Sequence, residues 1–130
     1  MIVVDASVLA PALADDGDDG DRARERLRGE RLCAPSLVDL EVASVLRRAT
    51  ATGALDERRS AQALADLALL PLRRVGHLPL LDRIWEMRDN VTAYDGAYVA
   101  LAELASAPLV TADARLSRAP GIRCPIEVLA

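Results

Sequence analysis

Short apolar runs that alternate with helical patterns predict the fold class. The first run, residues 2–4, has no alternation with polar residues, which is typical of a central parallel strand covered on both faces. Further strands are predicted at 32–34, 72–75, 109–110 and 126–129. Helical patterns occupy the segments between these runs. The alternation predicts an α/β fold, a three-layer α/β/α sandwich around a mainly parallel five-stranded sheet with right-handed crossovers.

Apolar residues at three- and four-residue spacing predict the helices. The clearest helix covers 97–107, contains no Gly or Pro, and is ended by Pro108. The other helices are predicted to begin at Ser7, to cover 22–30, 36–52 and 56–70, and to include Trp85, with a further turn at 114–116. Ser7 and Ser36 are expected to cap their helices, because a serine hydroxyl can accept a hydrogen bond from the first turn.

Two consecutive predicted helices, 36–52 and 56–70, are expected to pack together as a helical hairpin. The apolar stripe of the first helix is expected to consist of Leu37, Leu40, Ser44 and Val45. Glu41 lies within that stripe, whereas Asp39 points to another face and is expected to be exposed. The inward residues of the second helix are expected to be Leu64, Leu67 and Ala68.

Acidic side chains stand where the predicted strands end and the helices begin. Asp5 follows the first strand and Asp113 follows the fourth, and the carboxyl edge of a parallel sheet is where binding sites are built. Asp95 starts the clearest helix, either as a carboxylate that complements the helix dipole or as part of the same site. Glu41, an acid on an apolar stripe, needs a partner, which is either a buried arginine or a shared metal ion.

Composition and charge limit the possible functions. The 130 residues, of which 52% are apolar, suffice for one domain, 1–130, with one core. A net charge of −4 argues against nucleic-acid binding through bulk electrostatics, so any such contact must be local. All 16 basic residues are arginine, and the absence of lysine excludes Schiff-base enzymes, P-loop ATPases and receiver domains. Arginine does suit bidentate contacts with phosphate.

Several other features have structural interpretations. The acidic segment 15–21 fails the EF-hand template at the third and twelfth positions and is expected to be a solvated loop. Cys33 and Cys124 lack metal-site spacing and are expected to be buried, reduced thiols. His77 is expected to be a cap or a surface residue without a catalytic role. The lack of a long apolar run or signal peptide predicts a cytoplasmic protein without membrane contact.

Four short motifs occur along the chain in a characteristic order. They are VVDASV at 3–8, PSLVDLE at 35–41, YDGAYVALA at 94–102 and TAD at 111–113. Their order and separations resemble those of the PIN domain, the metal-dependent nuclease fold of the VapC toxins in VapBC toxin–antitoxin systems, and the likeness extends over essentially all of the chain. Gly96 departs from the alanine that the family more often has after the acid. The resemblance implies the strand order 3-2-1-4-5, which brings the strand ends before Asp5 and Asp113 side by side.

The resemblance also implies a Mg²⁺-dependent endoribonuclease, with Mn²⁺ as a possible substitute. The metal ligands are expected to be Asp5, Glu41, Asp95 and Asp113. Such carboxylates repel one another unless a cation lies among them, and oxygen ligands select hard divalent ions. A metal-activated water would hydrolyse the RNA phosphodiester. Ser7, besides its capping interpretation, and Thr111 are expected to donate hydrogen bonds around the acids. Arg115 and Arg118 either hold substrate phosphate or lie solvated on the surface.

Two other functional classes stay open. A phosphatase of the haloacid-dehalogenase type also places Asp after its first strand, but it needs a second Asp where this chain has Ser7, and a lysine. A catalytically silent PIN-like domain would bind a partner through the helix 56–70. The resemblance implies three partners: an RNA substrate, a VapB-like antitoxin whose tail enters the acidic groove, and a second copy of the chain in a homodimer. Direct DNA binding is not expected without the antitoxin.

Overall fold

A five-stranded parallel sheet forms the centre of the computed structural model, which describes residues 1–129. The strands are β1 (Ile2–Val4), β2 (Leu32–Pro35), β3 (Leu72–Val75), β4 (Leu109–Thr111) and β5 (Ile126–Val128). Their order is β3-β2-β1-β4-β5, and every neighbouring pair is parallel. This order confirms the predicted sheet and places the ends of β1 and β4 side by side.

Six α-helices cover the sheet and complete the α/β/α sandwich. They are α1 (Ala6–Ala14), α2 (Asp18–Leu27), α3 (Val38–Ala51), α4 (Glu57–Leu69), α5 (Leu81–Glu86) and α6 (Ala93–Ala105). Short 3₁₀ turns occur at Leu78–Leu80 and Leu116–Arg118. Helix α1 packs against α2, α3 and α4, whereas α6 lies against β1, β2 and β4 with α5 beside it. Within residues 1–129, no helix combines the length and apolar character needed to cross a membrane.

The core is built around β1 and the first half of α6. All three residues of β1 are at most 3% exposed, as expected for the central strand of a parallel sheet. In α6, every residue from 96 to 102 is buried, so this stretch of the helix is enclosed on all sides. A helix that is buried all round needs apolar or small residues at every position, which its sequence provides. The enclosure fixes the position of Asp95 in the first turn.

Several helix starts differ from the predictions. Helix α2 begins at Asp18, so that part of the predicted acidic loop is the first turn of a helix, where negative charge complements the dipole. Ser7 lies inside α1 and caps nothing, because Asp5 takes the N-cap position. Ser36 precedes the N-cap Leu37, and its hydroxyl donates to the carbonyl of Val75. Both serines therefore bond to groups outside their own helix.

The orientations of α3 and α4 also correct the predictions, although the two helices do pack together as a hairpin. The buried residues of α3 are Val38, Val42 and Leu46 instead of the predicted stripe. Leu40 is 75% exposed, because the face that packs on α1 is the one carrying these valines. In α4, Leu67 is buried as predicted, but Leu64 and Ala68 are exposed, and Ser60 and Ala63 take the inward positions.

Two polar groups near the start of α3, the carboxylate of Asp39 and the backbone N–H of Leu37, have partners on the β3 side of the fold. Asp39 was expected to be exposed, but both of its carboxylate oxygens accept hydrogen bonds from Arg74 on β3, at 2.8 and 2.9 Å. The Nε2 atom of His77 accepts the backbone N–H of Leu37 at 3.1 Å. His77 is the N-cap residue of the 3₁₀ turn that follows it, and its side chain also holds the start of α3. These contacts hold the helix that carries Glu41.

Both cysteines are free thiols, as predicted. Cys33 is buried in β2, and Cys124 is half-buried beyond α6. Burial raises the pKa of the Cys33 thiol and raises the pKa of the Cys124 thiol to about 11. Neither thiol is therefore ionised at neutral pH, and neither is an activated nucleophile.

Candidate active site

Asp5 stands at the carboxyl end of the central strand and is held from two sides. Its backbone N–H donates to the carbonyl of Val110 at 3.0 Å, which keeps the end of β1 aligned with β4. Its side-chain Oδ2 accepts hydrogen bonds from the hydroxyls of Thr111 at 2.7 Å and Ser7 at 3.0 Å. One carboxylate oxygen is thus fixed by two donors, which leaves Oδ1 as the oxygen available to a ligand.

The two hydroxyls also join the Asp5 carboxylate to the segment after β4. Thr111 is fully buried, and its Oγ1 accepts the backbone N–H of Asp113 at 3.1 Å. The Ser7 Oγ accepts the backbone N–H of Ala112 at 2.9 Å. Each hydroxyl therefore accepts from the β4 end while donating its proton to Asp5. Ser7 and Thr111 therefore both hold the Asp5 carboxylate by hydrogen bonds.

Glu41 projects from α3 and is half-buried beside the phenol of Tyr98. The Tyr98 hydroxyl donates to Glu41 Oε1 at 2.6 Å, a short hydrogen bond of the kind that a charged acceptor forms. Burial raises the pKa of the Glu41 carboxyl, and the charges of Asp5 and Asp95 raise it further, against the hydrogen bond from Tyr98. Within residues 1–129 Glu41 forms no salt bridge with an arginine, so the first of the two partners proposed for it is not observed.

Asp95 lies in the first turn of α6, but the cap of that helix is Thr92. The Thr92 Oγ1 accepts the backbone N–H of Asp95 at 3.1 Å, which leaves the Asp95 carboxylate free of capping. Burial raises the pKa of the Asp95 carboxyl, and the charges of Asp5 and Asp113 raise it further. The N-cap of α6 is therefore Thr92 and not Asp95.

Asp113 differs from the other acids because it has a cationic partner. The Arg115 guanidinium contacts both of its carboxylate oxygens at 3.2 Å, and the Arg115 backbone N–H donates to Oδ1 at 3.0 Å. These bonds hold the pKa of Asp113 below its usual range, with a smaller contribution from the charge of Arg118. The Arg115 side chain is 84% exposed, so water screens the pair and it can open at little cost.

The four predicted acids are coupled electrostatically at the carboxyl edge of the sheet. Asp5 and Asp95 both raise the pKa of Glu41, and Asp113 raises that of Asp95, which requires these charges to lie near one another. Within residues 1–129, however, no group of three or more His, Cys, Asp or Glu side chains is arranged so that it could hold a metal ion as it stands. The donors are all hard oxygens, and a divalent cation would offset the repulsion among them. By this chemistry the residues fit Mg²⁺ or Mn²⁺.

Sequence reasoning missed two contacts of this site. It gave no role to Tyr98, although a phenol three residues after Asp95 in an apolar stretch of helix is a signal, because a buried tyrosine hydroxyl needs a partner. It also missed the pair between Asp113 and Arg115, two residues apart in a loop. Arg115 was considered for substrate phosphate, and in the structure it contacts Asp113.

Comparison with known proteins identifies the family. The model of the PIN domain matches residues 2–122. The chain belongs to the PIN domain family. Membership of this family excludes the haloacid-dehalogenase alternative. The chain is 48% identical over 132 residues to a protein named ribonuclease VapC9 from Mycobacterium tuberculosis, an alignment that covers 99% of this chain and 98% of that protein.

Two solved structures show the same PIN fold at low sequence identity. The structure of VapC20 from M. tuberculosis, described as a sarcin–ricin loop cleaving toxin, has a TM-score of 0.72 and 17% identity, and the match covers 95% of this chain and 97% of that one. The structure of VapBC2 from Rickettsia felis, bound to a DNA fragment from its promoter, has a TM-score of 0.71 and 16% identity over the full length of both chains. At this identity the likeness supports the fold alone.

Proposed function

We propose that this PIN domain is a VapC-type toxin, an endoribonuclease that hydrolyses RNA phosphodiester bonds with Mg²⁺ or Mn²⁺. One observation carries the proposal: a chain that is 48% identical to a named VapC ribonuclease has half-buried carboxylates that are electrostatically coupled at the carboxyl edge of the sheet. Carboxyls whose pKa is raised by burial and by neighbouring acids, as those of Glu41 and Asp95 are, occur often at functional sites.

In this proposal each side chain has a defined task. Asp5, Glu41 and Asp95 bind the cation directly, and Asp113 binds it or one of its waters. When bound, the divalent cation supplies an activated water and offsets negative charge on the phosphate under attack. Ser7 and Thr111 orient Asp5 through Oδ2, so that Oδ1 can serve as the metal ligand.

Arg115 is the candidate for holding substrate phosphate, with Arg118 on the same turn. The Arg115 side chain is exposed and its partner Asp113 is a proposed metal ligand. A guanidinium released from Asp113 lies next to the site and can form a bidentate contact with a phosphate. Because the net charge of the chain is −4, such local arginine contacts are the means available for binding RNA.

The first prediction is that RNA cleavage requires a divalent cation. Protein purified without an antitoxin is incubated with total RNA in the presence of Mg²⁺, Mn²⁺, Zn²⁺ or a chelator, and new 5′ ends are mapped. Cleavage is expected with Mg²⁺ and Mn²⁺ and not with Zn²⁺ or chelator, because carboxylate oxygens select hard ions. Asp95→Asn purified in the same way controls for contaminating nucleases, and Asp82→Asn, at an exposed position on α5, should remain active.

Two results of that experiment would contradict the proposal. Full cleavage in chelator would remove the role of the metal. Metal binding without cleavage of any RNA would favour the silent interaction domain.

A VapB-like antitoxin is the proposed protein partner. A groove of about 440 Å³ runs between α1 and α3, with mostly apolar walls that include Pro11, Val45 and Leu55. Asp15 and Asp16 lie at its rim. These features suit an amphipathic antitoxin segment with an arginine, whose tail would extend to the acidic site. DNA contact is expected only through the antitoxin, because this chain is acidic. Since RNA and antitoxin meet in the cytoplasm, the protein is proposed to act there.

The second prediction is that the protein is a homodimer. Large apolar side chains remain exposed around α5 and α6: Leu78 is 82% exposed, Trp85 68% and Leu104 66%. A second copy that covers them would remove this surface from water. Light scattering at micromolar concentration should give twice the mass of 13.9 kDa, and a monomer under those conditions would count against the dimer.

A further inference from the structure

The Tyr98 hydroxyl is a buried polar group that lies at the centre of the acidic site. The Tyr98 side chain is 1% exposed, because α6 is enclosed along that stretch, so packing alone fixes the position of its ring. From this fixed position the hydroxyl donates to Glu41 Oε1 at 2.6 Å. The bond joins residues that are 57 positions apart in the chain, on α6 and α3.

Tyr98 lies on α6, and this helix reaches the elements that carry the other proposed metal ligands. Asp95 is one helical turn before Tyr98 on α6, and Glu41 is its hydrogen-bond partner on α3. Helix α6 also packs against β1, the strand that Asp5 follows. The hydrogen bond from Tyr98 therefore ties the position of Glu41 to the helix that carries Asp95.

We propose that Tyr98 is a positioning residue, which holds Glu41 by Oε1 so that Oε2 is presented to the divalent cation. The inference rests on the proposed metal-dependent function and deepens it. Within residues 1–129 no hydrogen bond is formed to Oε2, which leaves that oxygen available. Tyr98 itself does not contact substrate or metal in this arrangement.

A donor is needed at this point because Glu41 is otherwise pushed away from the site. Its carboxylate is desolvated by burial and repelled by Asp5 and Asp95, and the Tyr98 bond is the interaction that opposes these effects. A glutamate also has three side-chain torsions, so without a partner it samples orientations that face water. Removing the hydroxyl should therefore weaken cation binding while leaving the ring and the core in place.

The test compares Tyr98→Phe with two controls on the same helix. Tyr94→Phe removes the hydroxyl of a tyrosine that is 67% exposed, one turn before Tyr98. Val99→Ala creates a small cavity at a fully buried position and loosens α6 without removing the hydroxyl. The dissociation constant for Mn²⁺ alone is measured by electron paramagnetic resonance of the free ion, so the readout does not depend on RNA cleavage.

We expect Tyr98→Phe to weaken Mn²⁺ binding by about 10–100-fold, the usual effect of losing a partner that orients a metal ligand. Tyr94→Phe should bind as wild type does, and Val99→Ala should melt at a lower temperature with Mn²⁺ affinity unchanged. Wild-type affinity in Tyr98→Phe would overturn the inference, as would an equal loss in Val99→Ala, which would make the role structural. Wild-type protein that binds no Mn²⁺ would overturn the proposed function, and the inference with it.

Discussion

Glu41→Gln and Asp95→Asn are expected to raise the melting temperature of the metal-free protein while reducing RNA cleavage by at least about a hundredfold. Each substitution keeps the size of the side chain and removes one negative charge from a set of acids that repel one another. Because burial and the neighbouring acids raise the pKa of both carboxyls, their ionised forms are the unfavourable ones in the folded protein. Asp5→Asn is expected to reduce RNA cleavage by a similar factor.

The stabilisation should depend on pH with a defined sign. A carboxyl whose folded pKa is raised contributes stability that is fully present below its unfolded pKa and is lost as the pH rises through the folded pKa. The difference in melting temperature between variant and wild type should therefore grow from about pH 4 to pH 7. Comparing variant with wild type at each pH cancels the other titrating groups.

Added Mg²⁺ should stabilise wild type much more than the variants. A ligand that binds only the folded state stabilises it by RT ln(1 + [L]/Kd), about 1–3 kcal/mol at ten to a hundred times the dissociation constant. Wild type should show this shift, and the variants should lose most of it.

Asp39→Asn is the matched control for these substitutions, because Asp39 lies on the same helix as Glu41 but pairs with Arg74. This control should melt below wild type and keep the Mg²⁺ shift. Metal-free Glu41 and Asp95 variants that melt well below wild type, with an intact Mg²⁺ shift, would refute the assignment of these carboxylates.

The parts of the structure that follow from local pattern could be predicted from the sequence. Apolar runs located every strand, and the topology implied by the resemblance placed Asp5 and Asp113 at adjacent strand ends. The details that failed depend on partners distant in sequence. Ser7 bonds to Ala112 and Ser36 to Val75, so neither hydroxyl is available to cap its helix.

Helix orientation failed for a related reason. The sequence of α3 offers two apolar faces, one with Leu40 and one with Val42, and the choice between them is made by packing against α1. Spacing along a single helix contains no information about that neighbour. The hydrogen bond between Tyr98 and Glu41 could not be predicted from the sequence either, because it requires the relative placement of two helices to within about a hydrogen-bond length.

The ion pair between Arg83 and Glu103 should be a large contributor to stability away from the site. Glu103 is 13% exposed in its side chain and Arg83 19%, so both charges are largely withdrawn from water. Glu103 accepts from Arg83 at 2.7 and 3.0 Å and from the backbone N–H of Arg123 at 2.7 Å. Arg83 also donates to the carbonyl of Gly121 at 2.6 Å. The pair therefore fastens the segment before β5 to α5 and α6.

Glu103→Gln is expected to lower the free energy of unfolding by about 2–4 kcal/mol at pH 7, because it leaves the Arg83 charge buried without its counter-ion. Burial opposes ionisation of Glu103, but the bonds from Arg83 and Arg123 outweigh it and lower the pKa of the carboxyl. The stability it contributes is present above the ordinary glutamate pKa and is lost as the pH falls through the lowered value. The cost of the substitution should therefore shrink between about pH 5 and pH 3.

Urea denaturation at pH 7 and at about pH 3 measures this effect, with Glu86→Gln as the control. Glu86 also contacts Arg83, at 3.2 Å, but its side chain is 59% exposed. An exposed pair of this kind contributes about 0–1 kcal/mol, since water screens the attraction. The control should consequently unfold close to wild type at pH 7. Equal losses in the two variants, or a Glu103→Gln cost that stays constant into acid, would show that the buried pair does not stabilise the fold as an ion pair.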